Sequence, residues 1–361
     1  MVIKYLGSKR RLVPALGDLL TRSGSRTALD LFTGTTRVAQ EWKRRGAEVW
    51  AVDRARYAEV LAGCYVATDA SRIDRATLDE ALFHLDNVPG TDGYVTATFS
   101  RAARYFQLDN ARRIDAIRDE IERCFAGDAL RPIVLTALLE AADRVDSTTG
   151  LQMAYLKQWA PRSYQRLTLR GPVLLDGPGH AVGGDATVVA GALPEVDLAY
   201  LDPPYNQHRY FTNYHVWETL VAWDAPDHYG VACKRVDSRE PATRSVFNDR
   251  RRAPDALARL IATVRAGLVV ISGSNEGWVG VDDLVDMAGV RGHVEVLSFD
   301  SRRYIGAQIG IHNPRGEKVG RVSHTRNVEY LICAGERSLV RRLLDNDSNL
   351  CHCQRDGVHP R

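Results

Sequence analysis

Short apolar runs, each closed by an acid or a glycine, lie at both ends of the chain and flank a long stretch of helical periodicity. Thr27 to Leu31 is the first such run, and it leads into Asp30-Leu31-Phe32-Thr33-Gly34. A helix is predicted from Thr35 to Arg45, stopped by Gly46, and a second strand from Ala47 to Val52 is closed by Asp53. Strand, glycine turn, helix, strand, acid is the βαβ order of a nucleotide-binding half-sheet. From Arg54 to about Leu169 the period becomes helical, with Ile114, Ile117 and Ile121, then Val134, Leu138, Leu139 and Ala142, marking core faces. Asn87-Val88-Pro89-Gly90 reads as a loop and Gly171 to Gly184 as a linker. Strand patterns return at Val196 to Leu201, Leu268 to Ser272, Val294 to Phe299 and Val328 to Cys333. The expected architecture is an α/β sheet begun, interrupted by a mainly helical insertion, and then completed. The expected boundaries are 1–53 with 185–344 for the sheet, 54–184 for the insertion, and a polar tail over 345–361.

Composition narrows the class. A chain of 361 residues suggests about two domains, or one large domain with an insertion. Hydrophobic residues at 45% and charged residues at 26% exclude disordered and fibrous classes. A formal net charge of +3 says little about partners, so local charge must decide. Six cysteines, none in a CxxC pair, fit reduced thiols in a cytoplasmic protein. Lys9, Arg10 and Arg11 before a short run broken by Pro14 do not form a secretory signal, and no stretch reaches the ~18 apolar residues of a membrane helix.

Asp202-Pro203-Pro204-Tyr205, directly after the strand at Val196 to Leu201, carries the strongest chemistry. By composition this tetrapeptide arises in a chain of this length on the order of once in a thousand sequences. The amino lone pair of adenine is delocalised into its ring and attacks poorly. A carboxylate (Asp202) and a backbone carbonyl (Pro203) can each accept one amino hydrogen and draw the nitrogen toward tetrahedral geometry. Proline has no N–H to compete, and its fixed φ orients the carbonyl. Pro204 extends the rigid turn, and Tyr205 offers a face on which an unstacked base can lie. With a sulfonium leaving group, positioning and electrostatics do most of the work and no metal is needed.

The second site is the turn Asp30-Leu31-Phe32-Thr33-Gly34-Thr35 with Asp53 about 20 residues on, where an acid can accept both ribose hydroxyls. The full GxGxxG is absent, so a nucleoside without phosphates fits better than a dinucleotide. S-adenosylmethionine (SAM) is such a nucleoside. Lys4-Tyr5-Leu6-Gly7-Ser8-Lys9 reads as a cofactor loop, and Asp185 after Gly184 as an acceptor for the cofactor's adenine amine.

In this order these motifs resemble the Dam-like (class α) family of adenine-specific DNA methyltransferases. Asn206 and the run from Asn213-Tyr214-His215 to Glu218-Thr219 resemble the segment after that family's catalytic tetrapeptide. The resemblance implies a Rossmann-like, seven-stranded SAM-dependent methyltransferase sheet with a C-terminal β-hairpin. It also implies an inserted target-recognition segment, whose place 54–184 occupies. By the same resemblance Lys4, Tyr5, Gly7, Lys9, Asp30, Phe32, Gly34, Asp53 and Asp185 are cofactor residues, and Asp202, Pro203, Pro204 and Tyr205 are catalytic. Thr33 and Thr35-Thr36 depart from the pattern, standing where relatives often place smaller residues.

Two basic stretches read as nucleic-acid surface. Residues 234–252, with Lys234 and Arg235, carry a local +4, and residues 302–326, with Arg315, Lys318 and Arg321, a local +5. Asn313-Pro314-Arg315-Gly316 is a turn between two strand-like runs, so a hairpin could present the second set to a groove. His215 and Glu218, three apart on a helix, read either as an acid-base pair or as packing behind Asp202. Cys351-His352-Cys353 with His359 fits no zinc spacing. The expected activity is methylation of adenine N6 in a specific double-stranded DNA sequence, with base flipping and with a cognate restriction endonuclease as a possible partner. The rivals are cytosine N4 in DNA, adenine in RNA, and a non-catalytic SAM-binding regulator.

Overall fold

The computed structural model describes residues 3–5, 9–302 and 326–344. Its strands are β1 Thr27–Asp30, β2 Glu48–Asp53, β3 Gly179–Gly183, β4 Val196–Leu201, β5 His228–Tyr229, β6 Lys234–Arg235, β7 Ala266–Ser274, β8 His293–Arg302 and β9 Arg326–Gly335. The chain divides into two compact units, residues 1–189 with 208–245 and residues 190–207 with 246–361. The predicted insertion boundary at 184 therefore does not coincide with a boundary between units.

In the first unit β1 pairs in parallel with β2, and β2 with β3. Asp30 lies opposite Ala51, so Asp53 projects beyond the end of β1. Helix Val13–Ser23 has Pro14 in its first turn and buries Leu16, Leu19 and Leu20. It ends at left-handed Gly24, whose N–H returns to Leu20 and Thr21. The Trp42 indole of helix Arg37–Arg44 donates to the Leu16 carbonyl at 2.9 Å and ties the two helices together.

The interruption is helical as expected, with principal helices Arg56–Ala62, Arg75–Asp86, Leu108–Phe125 and Arg131–Val145. Ile114, Ile117, Ile121, Val134, Leu138, Leu139 and Ala142 are all buried. The predicted linker at 171–184 is different in one respect: its residues Gly179–Gly183 form β3. Pattern reading misses that strand because its glycines answer to tertiary contact. A Cβ on Gly179 would lie 2.4 Å from the Val66 carbonyl oxygen.

In the second unit β4 and β7 are parallel, β9 is antiparallel to β7, and β8 is antiparallel to β9. This matches the expected antiparallel C-terminal pair. β4 and β7 are buried almost throughout, as near-continuous apolar strands covered on both faces are. Among the described residues no helix is long and apolar enough to cross a membrane.

Candidate functional site

The glycine turn of the first unit is built around two left-handed residues. Gly34 has φ +50° and Thr36 φ +60°. Thr36 is β-branched and pays for this conformation with local bonds: its N–H reaches the Thr33 carbonyl at 2.6 Å, and its Oγ1 accepts from Gln40 at 2.8 Å. The helix starts at Arg37 rather than Thr35 for this reason. Asp30 is buried at the base of the turn and accepts from the Thr33 hydroxyl at 2.9 Å.

Asp53 closes the turn from the end of β2. One carboxylate oxygen accepts the Gly34 N–H and the other the Ala55 N–H, both at 2.9 Å. Burial raises its pKa against those bonds. The Asp53 carbonyl accepts the Gly184 N–H at 2.9 Å, which brings Asp185 to the neighbouring strand end. Asp185 caps the short helix Ala186–Val189 through Thr187 and lies 3.3 Å from Arg54. Phe32, within the turn, is half-buried.

Tyr5 approaches the same turn, its ring carbons within 3.1–3.2 Å of where a Cβ on Gly34 would stand. It stacks on Tyr214 (centroids 4.7 Å apart, 17° between planes) and on Tyr210 (5.3 Å, 22°). Burial raises the pKa of Tyr5, and Tyr57 and Tyr210 add to the shift. Tyr57, Tyr210 and Tyr214 were not among the predicted site residues. The four-residue spacing of Tyr210 and Tyr214 after the Asp-Pro-Pro-Tyr tetrapeptide was their available signal. Lys4 is anchored away from the turn, its ammonium 2.8 Å from Asp146 and 2.7 Å from the Asp143 carbonyl. Lys9 is buried, and its carbonyl starts the first helix by accepting from Leu12 and Val13. Gly7 lies outside the described residues.

His215 and Glu218 do not pair. His215 is fully buried, its Nε2 2.9 Å from the Gln152 carbonyl, and burial lowers its pKa to about 3. Gln152 also accepts from the Val216 N–H at 2.8 Å, fastening loop 146–160 to helix His215–Ala222. Glu218 faces the backbone N–H groups of Arg56 and Tyr57, and burial raises its pKa to about 7.

In the second unit the chain leaves β4 at Asp202, which is half-buried, and Pro203 turns inward. The Tyr205 carbonyl accepts from the Trp278 N–H at 3.1 Å, and Asn248 donates to the Asn206 carbonyl at 3.0 Å, so both sides of the tetrapeptide's exit are held. Pro203, Pro204 and Tyr205 line a small cavity with Phe247, Ser272 and Trp278.

The two basic stretches fare differently. Arg235, expected on a DNA face, is 4% exposed and held by Asp224 and Asp237 at 2.7 Å each. Burial works against its charge, but the two carboxylates raise its pKa overall. It is a packing residue of the β5–β6 ribbon. Lys234 is half-buried, with its ammonium 6.0 Å from the centre of the Tyr229 ring. Arg315, Lys318 and Arg321, with the Cys351–His359 tail, lie outside the described residues. The helical segment holds a polar groove of about 690 Å³ lined by Asn87, Arg112, Arg113, Tyr164, Gln165 and Arg166. Behind one wall, buried Asn110 donates to the Ser163 and Gln165 carbonyls and accepts from the Leu167 N–H. His84, Glu120 and Cys124 bring three donor atoms within 4.8 Å, but the Glu120 carboxylate is already taken by Arg123.

Comparison with known proteins places these observations. The chain is 27% identical over 323 residues to the modification methylase StsI of Streptococcus sanguinis, covering 84% of this chain and 49% of that protein. It is 26% identical over 328 residues to the type II methyltransferase M.FokI of Planomicrobium okeanokoites, covering 84% and 50%. The chain thus spans about half the length of these two relatives. Against the type II methyltransferase M.NlaIII of Neisseria lactamica it is 26% identical over 318 residues, covering 84% and 92%. Residues 5–258, which contain the glycine turn, the strand-end acid and the Asp-Pro-Pro-Tyr tetrapeptide, match the family model, and the chain belongs to the D12 class N6 adenine-specific DNA methyltransferases.

Proposed function

We propose that this protein transfers a methyl group from SAM to the exocyclic N6 amine of adenine within a specific duplex DNA sequence. The observation that carries the reading is Asp-Pro-Pro-Tyr at the carboxyl end of buried β4, in a chain whose first unit ends its own parallel strands on a glycine turn and an acid. The residues present suit the cofactor. Asp53 keeps acceptor capacity beyond its backbone N–H bonds for ribose hydroxyls, and no pyrophosphate cradle competes. Phe32 and Tyr5 supply apolar surface, Asp185 an acceptor for the adenine amine, and Asp30 with Gly34 the shape of the turn. Lys4 and Lys9 act from behind, by fixing the segment that carries Tyr5.

When bound, SAM supplies a methyl group on a sulfonium leaving group. The protein's part is to hold and polarise the acceptor. Asp202 and the Pro203 carbonyl accept the two amino hydrogens, Pro204 keeps the turn rigid, and Tyr205 stacks on the base. These contacts matter most as nitrogen becomes tetrahedral, so they lower the barrier rather than tighten ground-state binding. The target atom lies inside the duplex, and flipping the base costs a few kcal/mol that DNA contacts offset. We assign base readout mainly to the helical insertion, and phosphate contacts to Lys234 with Arg315, Lys318 and Arg321. A cognate restriction endonuclease is the partner that such a modification enzyme would protect DNA against.

The test is modified-base sequencing of DNA from a methylation-free host expressing the protein. N6-methyladenine at one motif is expected. Unmodified DNA, or methyl groups on cytosine N4, would overturn the assignment.

A further inference from the structure

Helix Arg56–Ala62 begins three residues after Asp53, and its N-cap residue, Ala55, has no side chain able to accept a hydrogen bond. The cap comes from far away in sequence. Glu218, 3% exposed on helix His215–Ala222, lies 3.1 Å from the Arg56 N–H and also accepts from Tyr57. Residues 53–57 are therefore held between two carboxylates. Asp53 takes the N–H groups of Gly34, Ala55 and Arg54, and Glu218 takes those of Arg56 and Tyr57.

This division of donors has a chemical consequence. An uncapped helix start draws the nearest carboxylate to its free N–H groups. Asp53 is the nearest in sequence, and an Asp53 turned onto Arg56 and Tyr57 would leave the Gly34 turn. A carboxylate has about four acceptor positions, and Asp53 gives three of them to the backbone N–H groups of Gly34, Ala55 and Arg54. We propose that Glu218 is a positioning residue for the cofactor: by capping Arg56 and Tyr57 it keeps the Asp53 carboxylate on the Gly34 turn, with its remaining acceptor capacity directed at ribose. The role rests on the reading of Asp53 as the ribose acid.

Calorimetric titration with SAM of the wild type, Asp53→Ala, Glu218→Ala, Glu218→Gln and the Asp53→Ala/Glu218→Ala double variant tests it. Wild-type binding checks the cofactor reading on its own, and failure of the wild type to bind SAM would overturn that reading. Glu218→Ala is expected to weaken SAM about tenfold, the effect of displacing one charged hydrogen-bonding group. Glu218→Gln, whose amide oxygen still accepts, should remain within about threefold of wild type. In the Asp53→Ala background, removal of Glu218 should cost less than about twofold, because a residue that acts through another loses its effect when that other is gone. A general packing defect would instead give the same loss in both backgrounds, and that result overturns the role, as does wild-type affinity in Glu218→Ala. Should Glu218→Ala not fold, Glu218→Asp keeps the charge but draws it back by one methylene. It is expected to lose SAM affinity about tenfold while remaining folded, and unchanged affinity there would equally overturn the proposal.

Discussion

Asp53 and Asp202 both stand at strand ends, yet their substitution should read out differently. On the proposed roles, Asp53→Ala removes the ribose acceptor and should weaken SAM binding by roughly 1.5–3 kcal/mol, with DNA affinity little changed. Calorimetry with each ligand checks both halves. Asp202→Ala should abolish methylation while sparing binding, and Tyr205→Phe should retain far more turnover than Tyr205→Ala, because the role proposed for Tyr205 is stacking by its ring face. Equal damage from Phe and Ala would replace stacking with a hydroxyl hydrogen bond. Proton linkage supplies a further residue-scale prediction. Burial lifts Glu218 from its ordinary 4.5 to about 7, so between these values the native state binds a proton that the unfolded state has released. Its contribution to stability therefore falls as pH rises through that window. His215, lowered from 6.5 to about 3, has the opposite sign, and its contribution grows as pH rises from about 3 to 6.5. Glu218→Gln removes the first effect and leaves the second. Denaturation at pH 5 and pH 8 should show the variant gaining roughly 2–3 kcal/mol on wild type between the two.

At the scale of elements, burial separates cations that sequence alone groups together. Lys234 and Arg235 are neighbours in one basic run, but period-two alternation in β6 turns Arg235 inward to Asp224 and Asp237. Arg235→Ala should cost about 2 kcal/mol or more in a denaturant melt, since it strands two partly exposed carboxylates and opens a packed site. Lys234→Ala should leave stability within about 0.5 kcal/mol and act on DNA affinity alone. Asn110 is another such case. Its side chain stands in for a strand partner to residues 163–167, so Asn110→Ala should lower stability by about 1–3 kcal/mol and loosen the wall that carries Tyr164 and Arg166. Neither role was legible beforehand, because a charge run or an amide in a helix looks the same whether its side chain meets water or a backbone carbonyl.

For the whole molecule, binding DNA and reading its sequence are separable tasks. Replacing Arg315, Lys318 and Arg321 with Ala should weaken all duplexes about equally and flatten the salt dependence, since phosphate contacts carry no sequence information. Exchanging the helical insertion for that of a relative should instead move the methylated motif, with SAM affinity kept in both variants. Titrations at several salt concentrations beside a methylation map of each variant decide the matter. A triple variant that relaxes the motif, with an insertion exchange that does not, would reverse the two assignments. The motifs on which the proposed chemistry rests were legible in the linear chain because they are contiguous runs: Asp-Pro-Pro-Tyr follows its own strand, and the turn from Asp30 to Gly34 precedes its own helix. Periodicity likewise foretold strands β1, β2, β4, β7, β8 and β9, whose apolar residues recur at short range, and the family resemblance implied that the last two pair antiparallel. Only tertiary structure decided the rest. β3 is defined by how closely Gly179 approaches Val66, the tyrosine stack joins residues more than two hundred positions apart, and the cap on Arg56 comes from Glu218, 162 residues away. Contacts of that range depend on packing, whereas pattern reading detects only what neighbours along the chain enforce.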